Sequence, residues 1–232
     1  GEKDPVTYYN LSSVLLDEGK NDDALTYAKM AYDSKDNASQ EVKVSSVYNY
    51  ALVCDQTGDY EKAITLYKEV LSLDATNIKA KVNLAAISNS NNDPDTALTL
   101  LKSAYAQDPK NFEVNNNMGN AYLLKKDYSN AITYFQNALK LDPKNNTVRT
   151  NLAQAYQSAQ QYDNAKTTYL DVIKYENDNW DAYVELGKVC IAQKDNSTAE
   201  KYLLYVQSKK PDWRADEVKR LLALTKDSAP EK

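Results

Sequence analysis

Asparagine recurs at a nearly fixed interval along this 232-residue chain. The asparagine amide carries two N–H donors and one carbonyl acceptor, so it can bond to the N–H and C=O groups of a peptide backbone without reading the peptide's side chains. Amides that repeat in this way favour recognition of an extended peptide. We call these residues the asparagine row, and its members are Asn10, Asn49, Asn83, Asn117 and Asn151.

The composition argues against chemistry of other kinds. The sequence has no histidine and only five glycines, which are widely dispersed. Without histidine, Ser-His-Asp and Cys-His catalysis and the commonest metal ligand are excluded. The glycines are too far apart for a phosphate-binding loop, and no acidic run matches a calcium loop. We therefore predict a protein that is not an enzyme, with no catalytic residue, no cofactor and no metal site.

A periodic alanine identifies the elements that position the asparagine row. Five alanines follow one another at intervals of 34 residues, and Ala24 precedes the first of them by 39. A small residue lies 12 positions before each alanine, and further packing positions lie four and seven after it, which is the spacing of a helix face. A period of this length predicts a stacked repeat of two helices per unit. The five alanines are Ala63, Ala97, Ala131, Ala165 and Ala199.

Glycine and proline mark the ends of these helices. Gly19 and Gly58 fall between the two helices of their repeats, where a C-terminal glycine is expected. Asp93 followed by Pro94 has the order of a helix start. Three further prolines each lie 12 residues after a periodic alanine, where the second helix should stop, because proline inside a helix costs about 3 kcal/mol. They are Pro109, Pro143 and Pro211.

The pattern resembles the tetratricopeptide repeat. The clearest copy, 112–145, places these residues in the family's slots: Met118, Gly119, Tyr122, Tyr128, Ala131, Phe135, Ala138 and Pro143. The resemblance implies an all-α fold, a right-handed superhelical solenoid of six helix-turn-helix units plus a C-terminal capping helix. The implied units are about 5–38, 44–77, 78–111, 112–145, 146–179 and 180–213, with an insert at 39–43.

The ends of the chain fall outside these repeats. Residues 1–4 are interpreted as a leader or a cleavage scar, since the chain starts without methionine, and we expect any upstream targeting sequence to have been removed. Residues 214–226 carry a short apolar stripe and are predicted to form the capping helix over an array that spans 5–213. Residues 227–232 are predicted to be a flexible tail.

In the tetratricopeptide family the first helices line a concave groove, and the slot of the asparagine row faces into it. This row is similar to the asparagine ladders in the repeat domain of protein O-linked N-acetylglucosamine transferases. The implied peptide-binding residues are Asn10, Asn49, Asn83, Asn117, Asn151, Asn116, Asn120, Gln154, Tyr9, Tyr48 and Lys79. Two alternatives stay open: the asparagines also fit repeat consensus with local hydrogen bonding, and Tyr9 and Tyr48 also fit simple cover for apolar neighbours.

The family's carboxylate clamp, which grips acidic C-terminal tails of chaperones, is not matched. That clamp needs lysines and an arginine around the asparagines. Lys79 occupies one lysine slot, but the other cationic slots hold Tyr9, Tyr48, Val82, Asn116 and Thr150. The resemblance therefore argues against a chaperone-binding role.

Charge, hydropathy and cysteine content exclude several classes of partner and of covalent link. The net charge of −5 argues against nucleic acid, which needs a basic patch. No stretch approaches the ~20 apolar residues of a membrane helix. Cys54 and Cys190 occupy equivalent slots four repeats apart, too distant for a disulfide, and are predicted to be buried. The asparagine- and lysine-rich composition is typical of an AT-rich, bacterial genome, and the compartment, cytoplasm or periplasm, stays open.

These observations predict a protein–protein interaction scaffold that binds an extended peptide in its groove. Two alternatives belong to different classes. The array could recruit substrates for a larger enzyme such as a glycosyltransferase, or it could be a self-assembly module whose groove or end pairs with a second copy.

Overall fold

The computed structural model describes residues 4–226, and these residues contain thirteen α-helices and one turn of 3₁₀ helix. The all-α prediction is confirmed. The predicted tail at 227–232 and positions 1–3 of the predicted leader lie outside the described residues. The helices are α1 Pro5–Asp17, α2 Asn21–Asp33, α3 Gln40–Gln56, α4 Tyr60–Leu73, α5 Ile78–Ser90, α6 Pro94–Gln107, α7 Phe112–Leu124, α8 Tyr128–Leu141, α9 Asn146–Ser158, α10 Tyr162–Tyr175, α11 Trp180–Ala192, α12 Asn196–Lys209 and α13 Ala215–Lys226.

The helices form two compact units, one ending at Pro109 and one beginning at Lys110. In the first unit, α1 pairs with α2, α3 with α4 and α5 with α6, while α2 and α4 each pack on the first helix of the next pair. In the second unit, α7 pairs with α8, α9 with α10 and α11 with α12, and α13 packs on α12 and α11. Five second helices therefore contact both their own first helix and the helix that follows in the same unit, namely α2, α4, α8, α10 and α12.

Small residues allow the paired helices to approach closely. All six periodic alanines, from Ala24 to Ala199, are completely buried. At Gly119, an added Cβ would lie 2.6 Å from the Phe135 ring, and at Gly187 it would lie 2.8 Å from Leu203. A larger side chain in these slots would overpack the contact between the two helices of a repeat.

Polar caps fix where the helices begin. Several second helices start after an aspartate whose carboxylate accepts a backbone N–H three residues on, as Asp59 does from Lys62. Several first helices start after an asparagine that does the same, as Asn77 does for Ala80. In α3 the cap is Ser39, so most of the predicted insert, 40–43, forms an extra helical turn.

A left-handed residue ends the first helix of every repeat. Gly19 and Gly58 have φ of +73° and +87°, which confirms their predicted position. Their backbone N–H groups and those of the next residues bond back to the last turn of the helix, as in a Schellman motif. The same slot holds a non-glycine residue with φ near +60° in the other repeats, namely Asn92, Lys126, Gln160 and Lys194.

Replacing Gln160 by glycine should stabilise the protein. The left-handed conformation costs an L-residue about 1–2 kcal/mol, of which the larger unfolded-state entropy of glycine offsets up to about 1 kcal/mol. We expect Gln160→Gly to raise the free energy of unfolding by about 0.5–1 kcal/mol in urea titrations, while Gln160→Ala leaves it within about 0.5 kcal/mol. A loss of stability in Gln160→Gly would contradict this account of the slot.

Candidate peptide-binding surface

The asparagine row lies on the first helices, and its members differ in exposure. Asn10 in α1 is exposed, whereas Asn49 in α3 is only 5% exposed. The Asn49 Nδ2 donates to Ser13 Oγ of the preceding repeat at 2.9 Å. Its Oδ1 is buried without a hydrogen-bond partner among the described residues. Asn49 therefore serves the contact between α1 and α3.

Asn83 in α5 joins a polar cluster in the first unit. Its Nδ2 donates to the hydroxyl oxygens of Tyr48 at 3.1 Å and of Tyr67 at 2.9 Å. The Tyr67 hydroxyl in turn donates to Asp55 Oδ2 at 3.3 Å. Leu52, the residue that corresponds to Ser13, has no polar atom in its side chain, so Asn83 takes the tyrosine hydroxyls as acceptors instead.

In the second unit, the row members bond within and between the first helices. Asn117 Nδ2 donates to the Glu113 carbonyl one turn earlier in α7 at 2.9 Å. Asn151 Nδ2 in α9 donates to Asn120 Oδ1 in α7 at 3.2 Å. Asn120 stands in the same slot as Ser13, three residues after the row position, so the Asn151 contact repeats the one made by Asn49. Asn117, Asn120 and Asn151 are half-buried, and Glu113 is exposed.

Glu185 occupies the row position in α11 and belongs to an ion-pair cluster with α13. Its Oε1 lies 2.7 Å from Lys188 Nζ and 3.4 Å from Arg214 Nη2. Glu217 lies 2.8 Å from Lys188 and 2.6 Å from Arg214, and Arg214 also pairs with Asp181 at 2.8 Å. The mixed charges that the sequence places here therefore join the last helix to α11.

The remaining predicted site residues lie on the same helices. Tyr9 and Asn116 are half-buried, and Lys79 and Gln154 are exposed. Tyr48 is half-buried, and its ring centroid lies 5.9 Å from that of Tyr67. Burial raises the pKa of the Tyr48 phenol above its ordinary value.

Sequence reasoning missed the tyrosine–acceptor pairs that support this surface. Tyr67 and Tyr169 share one slot, and each donates its hydroxyl to the residue 12 positions earlier, Asp55 and Gln157 respectively. Gln157 Nε2 then donates to Glu185 Oε2 at 3.3 Å. The constant separation of 12 residues between each tyrosine and its acceptor is visible in the sequence and could have predicted these hydrogen bonds. Burial raises the pKa of Asp55 despite the tyrosine hydrogen bond, which by itself lowers it.

The cysteines, the metal-binding side chains and the helix lengths of the described residues point to no further kind of site. Cys54 and Cys190 are buried free thiols, as predicted, and burial raises the pKa of each. Between positions 4 and 226, no group of three metal-binding side chains comes together. No helix in that range is both long enough and apolar enough to cross a membrane.

The arrangement of paired helices with small residues at the pair contact defines a helical repeat protein. Sequence profiles of the tetratricopeptide repeat match residues 44–77, 112–145 and 150–212, which together make up more than half of the chain. The chain belongs to the tetratricopeptide repeat family. No curated protein sequence matches it.

Several solved structures are similar to this chain. PilF from Pseudomonas aeruginosa aligns with a TM-score of 0.77 and 19% identity over 94% of this chain and 96% of its own. PilW, a widely conserved type IV pilus biogenesis factor, aligns with a TM-score of 0.81 and 16% identity over 94% and 98%. MamA (residues 41 to the end) from Desulfovibrio magneticus RS-1 aligns with a TM-score of 0.66 and 23% identity over 77% and 98%. These likenesses establish the fold, which is consistent with a scaffold that binds other proteins.

Removing the Asn83 amide should destabilise the first unit. Asn83→Ala deletes two hydrogen bonds and leaves the half-buried Tyr48 hydroxyl without its donor, so we expect the free energy of unfolding to fall by about 1–3 kcal/mol in urea titrations. Asn10→Ala is the control, because it brings the same gain in helix propensity at an exposed site and should change stability by less than about 0.5 kcal/mol. Equal effects of the two substitutions would show that the Asn83 contacts contribute nothing.

The ion-pair cluster at α13 should make stability depend on pH. Hydrogen bonds from Lys188 and then Arg214 lower the pKa of Glu217 below its ordinary value. The pairing therefore stabilises the protein above about pH 4.5, the usual glutamate value, and this stabilisation is lost as pH falls through the lower pKa of the folded state.

Glu217→Gln should lower the free energy of unfolding by about 1 kcal/mol at pH 7, and its difference from the unmodified protein should shrink progressively as the pH falls below about 4.5. Glu200→Gln, on the neighbouring α12, is the control, because Glu200 takes no part in the ion pairs of this cluster, and it should lower the free energy of unfolding at pH 7 less than Glu217→Gln does. A Glu217→Gln effect that stays constant from pH 7 to pH 3 would contradict the ion-pair assignment.

Proposed function

We propose that this protein is a non-catalytic scaffold that binds another protein through an extended peptide segment lying on its first helices. Membership of the tetratricopeptide repeat family supports the scaffold role. The amide-rich surface of α7 and α9 supports a peptide backbone as the group recognised, because amides offer both donors and acceptors to it.

The observation that carries the proposal is the hydrogen bond between Asn151 Nδ2 and Asn120 Oδ1. This bond uses one N–H of Asn151 and one lone pair of Asn120. The amide group of Asn120 can still donate, and the Asn151 carbonyl can still accept, so the pair presents complementary groups for a peptide unit. Because each amide orients the other, less side-chain freedom is lost on binding. Gln154, exposed one turn after Asn151, extends the same surface.

The asparagine row then divides into two roles. Asn49 donates to Ser13, and Asn83 donates to the hydroxyls of Tyr48 and Tyr67. We therefore assign these two asparagines to ordering the surface of the first unit. Asn10 is the exposed member of that unit, and Tyr9 adjoins it. In the second unit we assign ligand contact to Asn120, Asn151 and Gln154.

The proposal is tested with binders selected from a phage-displayed library of random 12-residue peptides, using the full chain as bait. We expect Asn120→Ala/Asn151→Ala to weaken selected peptides at least tenfold, the equivalent of about 1.4 kcal/mol. Circular dichroism and the melting temperature should stay close to those of the unmodified protein, because the double substitution removes both partners of the Asn120–Asn151 hydrogen bond and leaves neither one unpaired.

Asn164→Ala is the matched control, since it removes an exposed asparagine from α10, a second helix. It should leave the affinity of the selected peptides within about twofold. Peptides that bind Asn120→Ala/Asn151→Ala as tightly as the unmodified protein, or a library that yields no binder, would overturn the proposed peptide site.

A further inference from the structure

A cavity in the first unit contains the carboxylate of Asp55. The cavity has a volume of about 430 Å³ and lies where the last turns of α3 and α5 meet the first residue of α4. That volume is within the roughly 300–1,000 Å³ of ligand-binding pockets. The residues that line the cavity are Asp55, Tyr60, Ala86, Ile87, Ser90 and Asn91.

Asp55 is half-buried and has no cationic partner. Its carboxylate accepts a hydrogen bond from the Tyr67 hydroxyl at 3.3 Å, but among residues 4–226 no lysine or arginine forms an ion pair with it. Burial raises the pKa of Asp55, because it disfavours the charged form. Asp55 is also the last residue but one of α3, where the negative end of the helix dipole disfavours an anion. The fold of the first unit therefore opposes this charge in two ways.

A neutral residue does the same work for the fold in another repeat. Gln157 occupies the Asp55 position in α9, and its Oε1 accepts a hydrogen bond from the Tyr169 hydroxyl at 2.8 Å. The Gln157 amide also donates to Glu185 at 3.3 Å, so both ends of this side chain are used within the second unit. The packing tyrosine therefore needs an acceptor but not a carboxylate, and its hydrogen bond does not account for the charge of Asp55.

The walls of the cavity fit a long cationic side chain. Ala86 and Ile87 provide an apolar wall for the methylene stem of a lysine or an arginine. The Tyr60 ring, which is 54% exposed, provides an aromatic face for the charged group. Ser90 and Asn91 are exposed at the end of α5 and add polar groups that accept hydrogen bonds from an ammonium or a guanidinium.

The charges around the cavity also favour a cation. The C-terminal ends of α3 and α5, where the helix dipoles are negative, both lie at the cavity. The positive end of α4 lies there too, but Asp59 at its cap and Glu61 in its first turn are acidic and exposed. Over positions 4–109, the first unit has sixteen acidic and nine basic side chains, a net charge of −7. A field of this sign attracts basic segments of other proteins.

We propose that this cavity binds a lysine or arginine side chain of a partner protein, with the cation paired to the carboxylate of Asp55. The bound cation supplies the charge pairing that the described residues do not give Asp55, and the net charge of −7 favours further basic residues beside the one that is bound. The site does not depend on the amides of α7 and α9. Each of the two proposals can therefore fail without the other.

The probes are three heptapeptides with blocked ends, each with six alanines around a central lysine, norleucine or glutamate. Norleucine keeps the methylene stem of lysine without the ammonium group, and glutamate reverses the charge. Binding to the full ¹⁵N-labelled chain at low salt is followed by NMR, through the backbone amide shifts of Asp55, Tyr60, Ile87, Ser90 and Asn91. These residues line the cavity, so their shifts report binding at this site.

We expect the lysine peptide to bind with a Kd of about 1–10 mM, and the norleucine and glutamate peptides to bind at least tenfold more weakly. Asp55→Asn keeps an acceptor for the Tyr67 hydroxyl and removes the charge, so it should weaken the lysine peptide at least fivefold. The urea midpoint of Asp55→Asn should equal or exceed that of the unmodified protein, because the fold disfavours the charge that is removed. A purely structural aspartate would instead lower that midpoint.

Asp17→Asn is the matched control, since Asp17 is an exposed aspartate at the end of α1 and its replacement changes the net charge equally. It should leave the affinity within about twofold. The proposal is overturned if the lysine peptide shows no saturable shifts up to about 30 mM, if norleucine binds as tightly as lysine, or if Asp55→Asn binds the lysine peptide normally. A concentration-dependent dimer that Asp55→Asn abolishes would overturn the separate partner and assign the cavity to a second copy.

Discussion

Close contact between the two helices of each repeat is the constraint on which the rest of this structure depends. The periodic alanines allow it, because all six are completely buried and none carries a side chain beyond Cβ. Where the facing residue is Phe135 or Leu203, the opposite slot has lost even the Cβ and holds Gly119 or Gly187. At these two contacts, the side chain on the second helix occupies the space that a Cβ on the first helix would need.

This close packing determines what the asparagine row can do. Once neighbouring first helices are held side by side, an amide on one helix reaches the residue three positions beyond the row on the preceding helix. Ser13 and Asn120 fill that slot with acceptors, and Asn49 and Asn151 bond to them. Leu52 fills it with an apolar side chain, and Asn83 turns to the hydroxyls of the tyrosines. Hydrogen bonding between repeats and an amide-rich surface are therefore two consequences of one geometry.

The sequence predicted the helices better than the contacts between them. Gly58, Asp93 and Pro143 identify helix ends through local backbone chemistry, so short spacings in the sequence were sufficient. The burial of Asn49 was not predictable in that way. A helical period shows which residues share a face, but the burial of one amide depends on how closely the next helix approaches and on which side chain it offers. Leu52 stands in the slot that holds Ser13 or Asn120 in other repeats, and this difference changes the partner of Asn83 without changing the period.

The hydroxyl groups of the packing tyrosines show the same dependence on a distant partner. The slot four residues after the periodic alanine holds Tyr67 and Tyr169 where the residue 12 positions earlier is Asp55 or Gln157, both of which accept a hydrogen bond. In the repeat where that earlier residue is Leu123, the slot holds Phe135 and no hydroxyl. A phenol buried there without an acceptor would cost about 1–3 kcal/mol, so the absence of the oxygen is the stabilising choice. The polar surface of the first helices is thus set partly by packing at the second helices, since each added hydroxyl needs a hydrogen-bond partner on the first helix.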